Sequence, residues 1–121
     1  MKKLLIVEDD PMLSEIYKKK FSASDFELFS AASGSEAIKI AQEQKPDLVL
    51  LDLILPEMDG FEILKKIRSN KELDSVKVII FSNLSQEDEK HKAEALGANG
   101  FIAKADVTPQ ELVIKVKEFL K

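Results

Sequence analysis

Leu48-Val49-Leu50-Leu51-Asp52-Leu53-Ile54-Leu55 is the stretch on which the fold turns. A short apolar run of Val and Leu reads as a strand covered on both faces, as in a parallel sheet. One carboxylate, Asp52, breaks it where the strand ends. So placed, an isolated carboxylate is penalised for lost hydration unless a cation or hydrogen-bond donors meet it.

Four other runs flank this one, at residues 4–7, 26–31, 76–81 and 100–103. All but Phe26-Glu27-Leu28-Phe29-Ser30-Ala31 are nearly continuous in apolar residues, and that mixed run fits an edge strand. Between them apolar residues recur at helical spacing. Met12/Ile16 and Leu13/Tyr17/Phe21 make one stripe, and Ala37, Ile38 and Ala41 a second. Phe61, Ile63, Leu64 and Ile67 make a third, and Leu112, Val113, Val116, Phe119 and Leu120 the last. Thr108-Pro109-Gln110-Glu111 is a capping box with proline at the first helical position, and Ser33-Gly34-Ser35-Glu36 repeats the spacing. Gly97 can close the fourth helix in a left-handed conformation. That helix, from about Gln86 to Leu96, begins with seven polar residues and has little to bury, so it is expected to be loosely held, as a solvated surface helix or a movable one. Strand and helix alternate five times, which predicts an α/β fold, a five-stranded parallel sheet with helices on both faces.

The composition narrows the function. The 121 residues are 45% hydrophobic and 33% charged, the balance of one globular domain over residues 1–121. The absence of cysteine excludes disulfides, thiolate metal sites and a cysteine nucleophile, and a single histidine, His91, excludes a multi-histidine centre. A net charge of −4 argues against nucleic acid as a direct partner. No run is long enough to insert in a membrane, and the apolar residues 4–7 end in Glu8-Asp9-Asp10, unlike a secretory signal. A cytoplasmic location is expected by elimination.

Glu8 and Asp9 follow the first strand as Asp52 follows the third. Parallel strands end on one edge, so these acids converge there. In the order 2-1-3-4-5, taken from known doubly wound sheets rather than read from the residues, strands one and three are neighbours and their crevice is the ligand site. Carboxylates about 5 Å apart repel by roughly 3 kcal/mol per pair at an effective dielectric near 20. An all-oxygen set favours a hard cation, Mg²⁺ or Mn²⁺, which commonly bridges carboxylate to phosphate. The blander alternative is that Glu8-Asp9-Asp10 merely cap the first helix around Pro11 and that Asp52 is a satisfied loop residue; it weighs far less for all the acids together than for the first pair alone. Ser82 and Lys104 stand at the ends of the fourth and fifth strands. Either alone reads as a turn serine or a solvated lysine, but beside the acids a lysine can neutralise the crevice or bind a phosphoryl oxygen.

With Leu5-Ile6-Val7-Glu8-Asp9-Asp10, Leu51-Asp52-Leu53-Ile54-Leu55-Pro56-Glu57-Met58-Asp59-Gly60, Phe81-Ser82-Asn83 and Gly100-Phe101-Ile102-Ala103-Lys104, the chain resembles the receiver domains of two-component response regulators along essentially its whole length. The resemblance implies a flavodoxin-like three-layer sandwich of order 2-1-3-4-5 with five helices. It implies that Asp52 accepts a phosphoryl group from a histidine kinase or histidine phosphotransfer protein, with Mg²⁺ held by Asp9, Asp52, the Ile54 carbonyl and, through water, Glu8. Ser82, Asn83 and Lys104 would contact phosphoryl oxygens. Ser82 and Phe101 would form the switch, with output on the face from the fourth to the fifth helix toward a downstream protein not readable here. The first helix and the loops around Pro56 and Ala105 would meet the kinase. Asp10 lies outside the matched pair and reads as a helix-start residue.

Two departures stand out. Ala105 replaces the family's usual proline after the lysine, where a cis bond would cost about 3 kcal/mol, so that loop is expected to be either strained or rearranged. Ile54 and Leu84 are apolar where polar residues tend to assist an attacking water, which predicts a long-lived phosphoaspartate. A stand-alone regulator is expected, with a receiver cut from a longer regulator as the alternative. A magnesium-dependent aspartyl-phosphate hydrolase is disfavoured because Ile54 occupies the place of its second aspartate. A flavin- or nucleotide-binding protein of the same topology is disfavoured because no glycine-rich loop follows the first strand.

Overall fold

The computed structural model describes residues 1–83 and 87–121; Leu84 and Gln86, named above, lie outside the described residues. Five parallel strands, β1 (Lys2–Val7), β2 (Phe26–Ala31), β3 (Leu48–Leu51), β4 (Lys77–Ser82) and β5 (Gly100–Ala103), line up in the order β2-β1-β3-β4-β5. Five α-helices alternate with them: α1 (Pro11–Ser22), α2 (Gly34–Gln44), α3 (Gly60–Arg68), α4 (Glu87–Ala95) and α5 (Pro109–Phe119). The alternation of side chains along each strand divides the interior into two layers. Leu5, Val7, Val49, Leu51, Val78 and Ile80 pack with residues of α2, α3 and α4, whereas Leu4, Ile6, Leu48, Leu50, Ile79 and Phe81 pack with α1 and α5. The outcome is the expected doubly wound, three-layer sandwich.

Details of the sequence reading divide. Thr108 forms the complete reciprocal capping box with Glu111, and Gly97 takes φ +101° after α4. At Ser33 the side chain accepts from the Glu36 N–H, but the Glu36 carboxylate reaches back to Ala32 rather than to Ser33. Asp10 is the α1 N-cap, accepting from the Met12 and Leu13 N–H groups. Of the two stripes on α1, Tyr17 and Phe21 face the sheet, but Met12 and Ile16 stand 74% and 41% exposed. The helix has one sheet-facing side, and that pair points off it. As an edge strand β5 is also less covered than its apolar run suggested, with Ile102 its one buried residue. In α4 only Ala93 is buried, as the polar start of that helix led one to expect.

Candidate functional site

The strand register sets the site. Val7 pairs with Leu51 and Ser82 with Ala103, so the next residues, Glu8, Asp52 and Lys104, emerge on the same edge of the sheet. The ladder continues one step beyond β1 and β3, through Glu8 N–H to Ala31 O at 3.0 Å and Asp52 N–H to Val7 O at 3.3 Å. These bonds fix where both acid backbones lie. Beneath Asp52, Gly60 opens α3: a Cβ there would fall 2.4 Å from the Asp52 carbonyl oxygen and 2.7 Å from Leu53 Cα. Only glycine lets the helix start approach the loop so closely.

Carboxylate oxygens of Glu8, Asp9 and Asp52 all lie within 4.8 Å of one another, with Glu8 and Asp52 buried and Asp9 exposed. They line a cleft of about 300 Å³ together with Asp10, Leu13, Ile54, Ser82, Asn83 and Lys104. Buried acids must be met, and Lys104 meets two of them: its Nζ donates to Asp52 Oδ2 at 2.8 Å and to Glu8 Oε1. The Ile54 N–H donates to Asp52 Oδ1 at 3.2 Å, and the Asp10 N–H to Glu8 Oε2 at 3.2 Å. Burial works against the Lys104 ammonium, but hydrogen bonds and attraction to Asp52 and Glu8 outweigh it and raise its pKa above the ordinary lysine value. Lys104 is therefore a fixed positive charge across the neutral range.

The donor set suits a hard divalent ion: oxygen-only ligands, clustered, with one side open to solvent at Asp9. Ser82 is fully buried at the end of β4 and Asn83 exposed beside it. Phe101, opposite Ile80 in the register, is half-buried on the α4 side of the sheet, the side toward which Ser82 also alternates. The Lys104–Ala105 peptide is not cis; the chain turns there in a short 3-10 segment, Lys104–Asp106, so the rearranged form of the two expected is the one adopted. Of the expected site residues that are described, Glu8, Asp9, Asp52, Ile54, Ser82, Asn83 and Lys104 line the cleft and Phe101 lies beside it; Leu84 is outside the described residues. The sequence reading missed the supporting part of Gly60, whose signal was a lone glycine directly after the helix-capping Asp59. It also missed Leu13, whose place at the cleft follows from its position one turn into α1.

Comparisons with known proteins agree with this geometry. The model of the response regulator receiver domain matches residues 4–117. The alkaline phosphatase synthesis transcriptional regulatory protein PhoP of Bacillus subtilis is 31% identical over 120 residues, covering 99% of this chain and 49% of that protein. The chain spans about half the length of the curated relatives it matches. Among solved structures, the chemotaxis protein CheY4 of Vibrio cholerae superposes with a TM-score of 0.91 at 25% identity, over 98% of both chains. The Mn²⁺-bound form of response regulator Rcp1 gives a TM-score of 0.86 at 28% identity, over 98% of this chain and 94% of that one. No helix among the described residues is long and apolar enough to cross a membrane. Fold, strand order and acidic edge agree with a family match running nearly end to end, and the chain belongs to the receiver domains of two-component response regulators.

Proposed function

We propose that residues 1–121 act as one phosphoryl-accepting receiver domain, in which Asp52 takes a phosphoryl group from a phosphohistidine of a kinase or phosphotransfer protein. The observation that carries this is the convergence of Glu8, Asp9 and Asp52 within 4.8 Å beside Lys104. An Asp52 carboxylate oxygen attacks phosphorus, the P–O bond forms as the P–N bond breaks, and the histidine nitrogen keeps the electron pair. Glu8, Asp9, Asp52 and the Ile54 carbonyl would hold Mg²⁺ or Mn²⁺, as Mn²⁺ is bound in the related Rcp1. The ion would supply charge neutralisation of the acids and Lewis-acid stabilisation of the transferring phosphoryl group. Lys104 meets the charge that spreads over the equatorial oxygens, and Ser82 and Asn83 donate to the same group. Ser82, drawn toward it, leaves room for Phe101 to turn inward and displaces the weakly anchored α4, which carries the signal to a downstream protein.

Ile54, 60% exposed at the cleft rim beside Asp52, presents apolar surface for the phosphodonor, together with α1, where Met12 and Ile16 are exposed, and the loops at Pro56 and Ala105. The proposal concerns the receiver unit, whether it acts alone or within a longer regulator, and carries a cytoplasmic setting with it. Its chemistry is confined to its own aspartate. Incubation with Mg²⁺ and acetyl phosphate, read by intact mass, is expected to add one phosphoryl group to the parent and none to Asp52→Asn. Apolar Ile54 keeps water off the acyl phosphate, so the adduct should persist well beyond seconds after the donor is removed. An unlabelled parent would overturn the reading; an adduct gone within seconds would overturn the role given to Ile54.

A further inference from the structure

Lys104 stands where β5 gives way to an exposed turn. The turn Lys104–Asp106 has no capping side chain and buries none of its three residues. Yet the Lys104 side chain is only 9% exposed and its ammonium reaches two carboxylates from different strands. The register brings Lys104 to the acidic edge, and what surrounds the side chain sets where its ammonium sits. The ammonium lies 5.6 Å from the centroid of the Phe81 ring. Phe81 is 4% exposed, pairs in the register with Ile102, and is met edge-on by Tyr17 of α1, with centroids 5.2 Å apart and planes at 74°. The ring is thus anchored on β4 and packed from α1.

We propose that Phe81, braced by Tyr17, is a positioning residue for Lys104: its ring face fixes the ammonium at the level of Glu8 and Asp52. A ring face attracts a cation through its quadrupole, more strongly where water is excluded. Unlike a carboxylate it takes up none of the ammonium's three N–H donors. Among the described residues Glu8 and Asp52 use two, which leaves one for an incoming anionic oxygen. An aliphatic side chain of similar bulk fills the volume but exerts no pull on the charge. Phe81 thereby sets the ammonium within the acidic edge to which the register brings Lys104.

Because the benefit to phosphoryl transfer rests on the receiver reading while the placement of Lys104 does not, the test has two arms. In Phe81→Leu the ammonium offsets Glu8 and Asp52 less, so Mg²⁺ binding measured by NMR titration should tighten. The phosphorylation rate at saturating Mg²⁺ should fall, each by about three- to tenfold, the range of a partly desolvated cation–π contact. Phe81→Tyr keeps the face and should restore both. In a Lys104→Met background, Phe81→Leu should change Mg²⁺ affinity no further. Phe81→Met asks the same question should the leucine variant fold poorly. The inference is overturned if both readouts weaken together, if neither moves, or if the effect on Mg²⁺ persists without Lys104. A parent that binds Mg²⁺ but accepts no phosphoryl group would sink the receiver reading instead, leaving the Mg²⁺ cycle to judge Phe81.

Discussion

Asp52 was legible because a carboxylate inside an apolar run is anomalous, and an anomaly of about one desolvated charge demands a partner. Glu8 and Asp9 were legible because parallel strands end on one edge, which sets them beside Asp52. Phe81 was not, since an aromatic residue in a β-strand reads as core, which it also is. Its second use depends on what lies beyond the strand end, and no local pattern reports that. Gly60 is intermediate: a glycine heading a helix is visible, but the carbonyl it must clear is fixed by tertiary packing. Gly60→Ala is therefore expected to cost about 1–3 kcal/mol, the usual range for forced overpacking. Urea denaturation should show the midpoint lowered with its slope unchanged, since backbone rather than a flexible side chain blocks the new methyl.

Among the elements, α3 and α4 make the sharpest contrast. Both span nine residues, but α3 buries Gly60, Ile63, Leu64 and Ile67 while α4 buries Ala93 alone. The α4 carboxyl end is nevertheless tied down. Ala98 N–H donates to Ala93 O at 2.9 Å, and Arg68 Nε of α3 donates to Gly97 O at 2.8 Å. Arg68 also reaches Asn99 Oδ1, which accepts in turn from Val78 N–H. Lys92 lies 4.3 Å from the Phe61 ring centroid, a further tether on the α3 side. This arrangement favours opening of α4 as a unit about its Gly97 end. Amide exchange should be faster in residues 87–95 than in 60–68, and protection of α4 should change when beryllofluoride mimics the phosphoryl group. Identical α4 protection with and without the mimic would remove the helix from the switch. Sequence reading caught the weak anchoring of α4 through its polar start, yet not the Arg68 tether, which joins residues 29 apart.

For the whole molecule, the acidic edge is a site of linkage between ion binding and folding. A ligand that binds only the native state stabilises it by about 1.4 kcal/mol at ten times its dissociation constant. Mg²⁺ should raise the unfolding midpoint accordingly, and a chelator should return it. Asp9→Asn, which removes the exposed acid of the cluster and no core contact, should abolish most of the Mg²⁺ response while leaving the metal-free midpoint nearly unchanged. A Mg²⁺ response of parental size in that variant would place the ion elsewhere. The fold itself was readable at this scale because five apolar runs and their intervening stripes admit few arrangements. The order of the strands came from likeness to known sheets, since periodicity says which segments are strands and not which are neighbours.

Lys104 bridges the last strand to acids carried by the first and the third. The protein thus brings its own counter-ion to its most acidic corner, covalently attached and shielded from the medium. Simple salts have little to add to a pair so enclosed, because screening acts through solvent that is largely shut out. Dilute buffer without any divalent ion should accordingly hold the folded chain as well as one rich in sodium does.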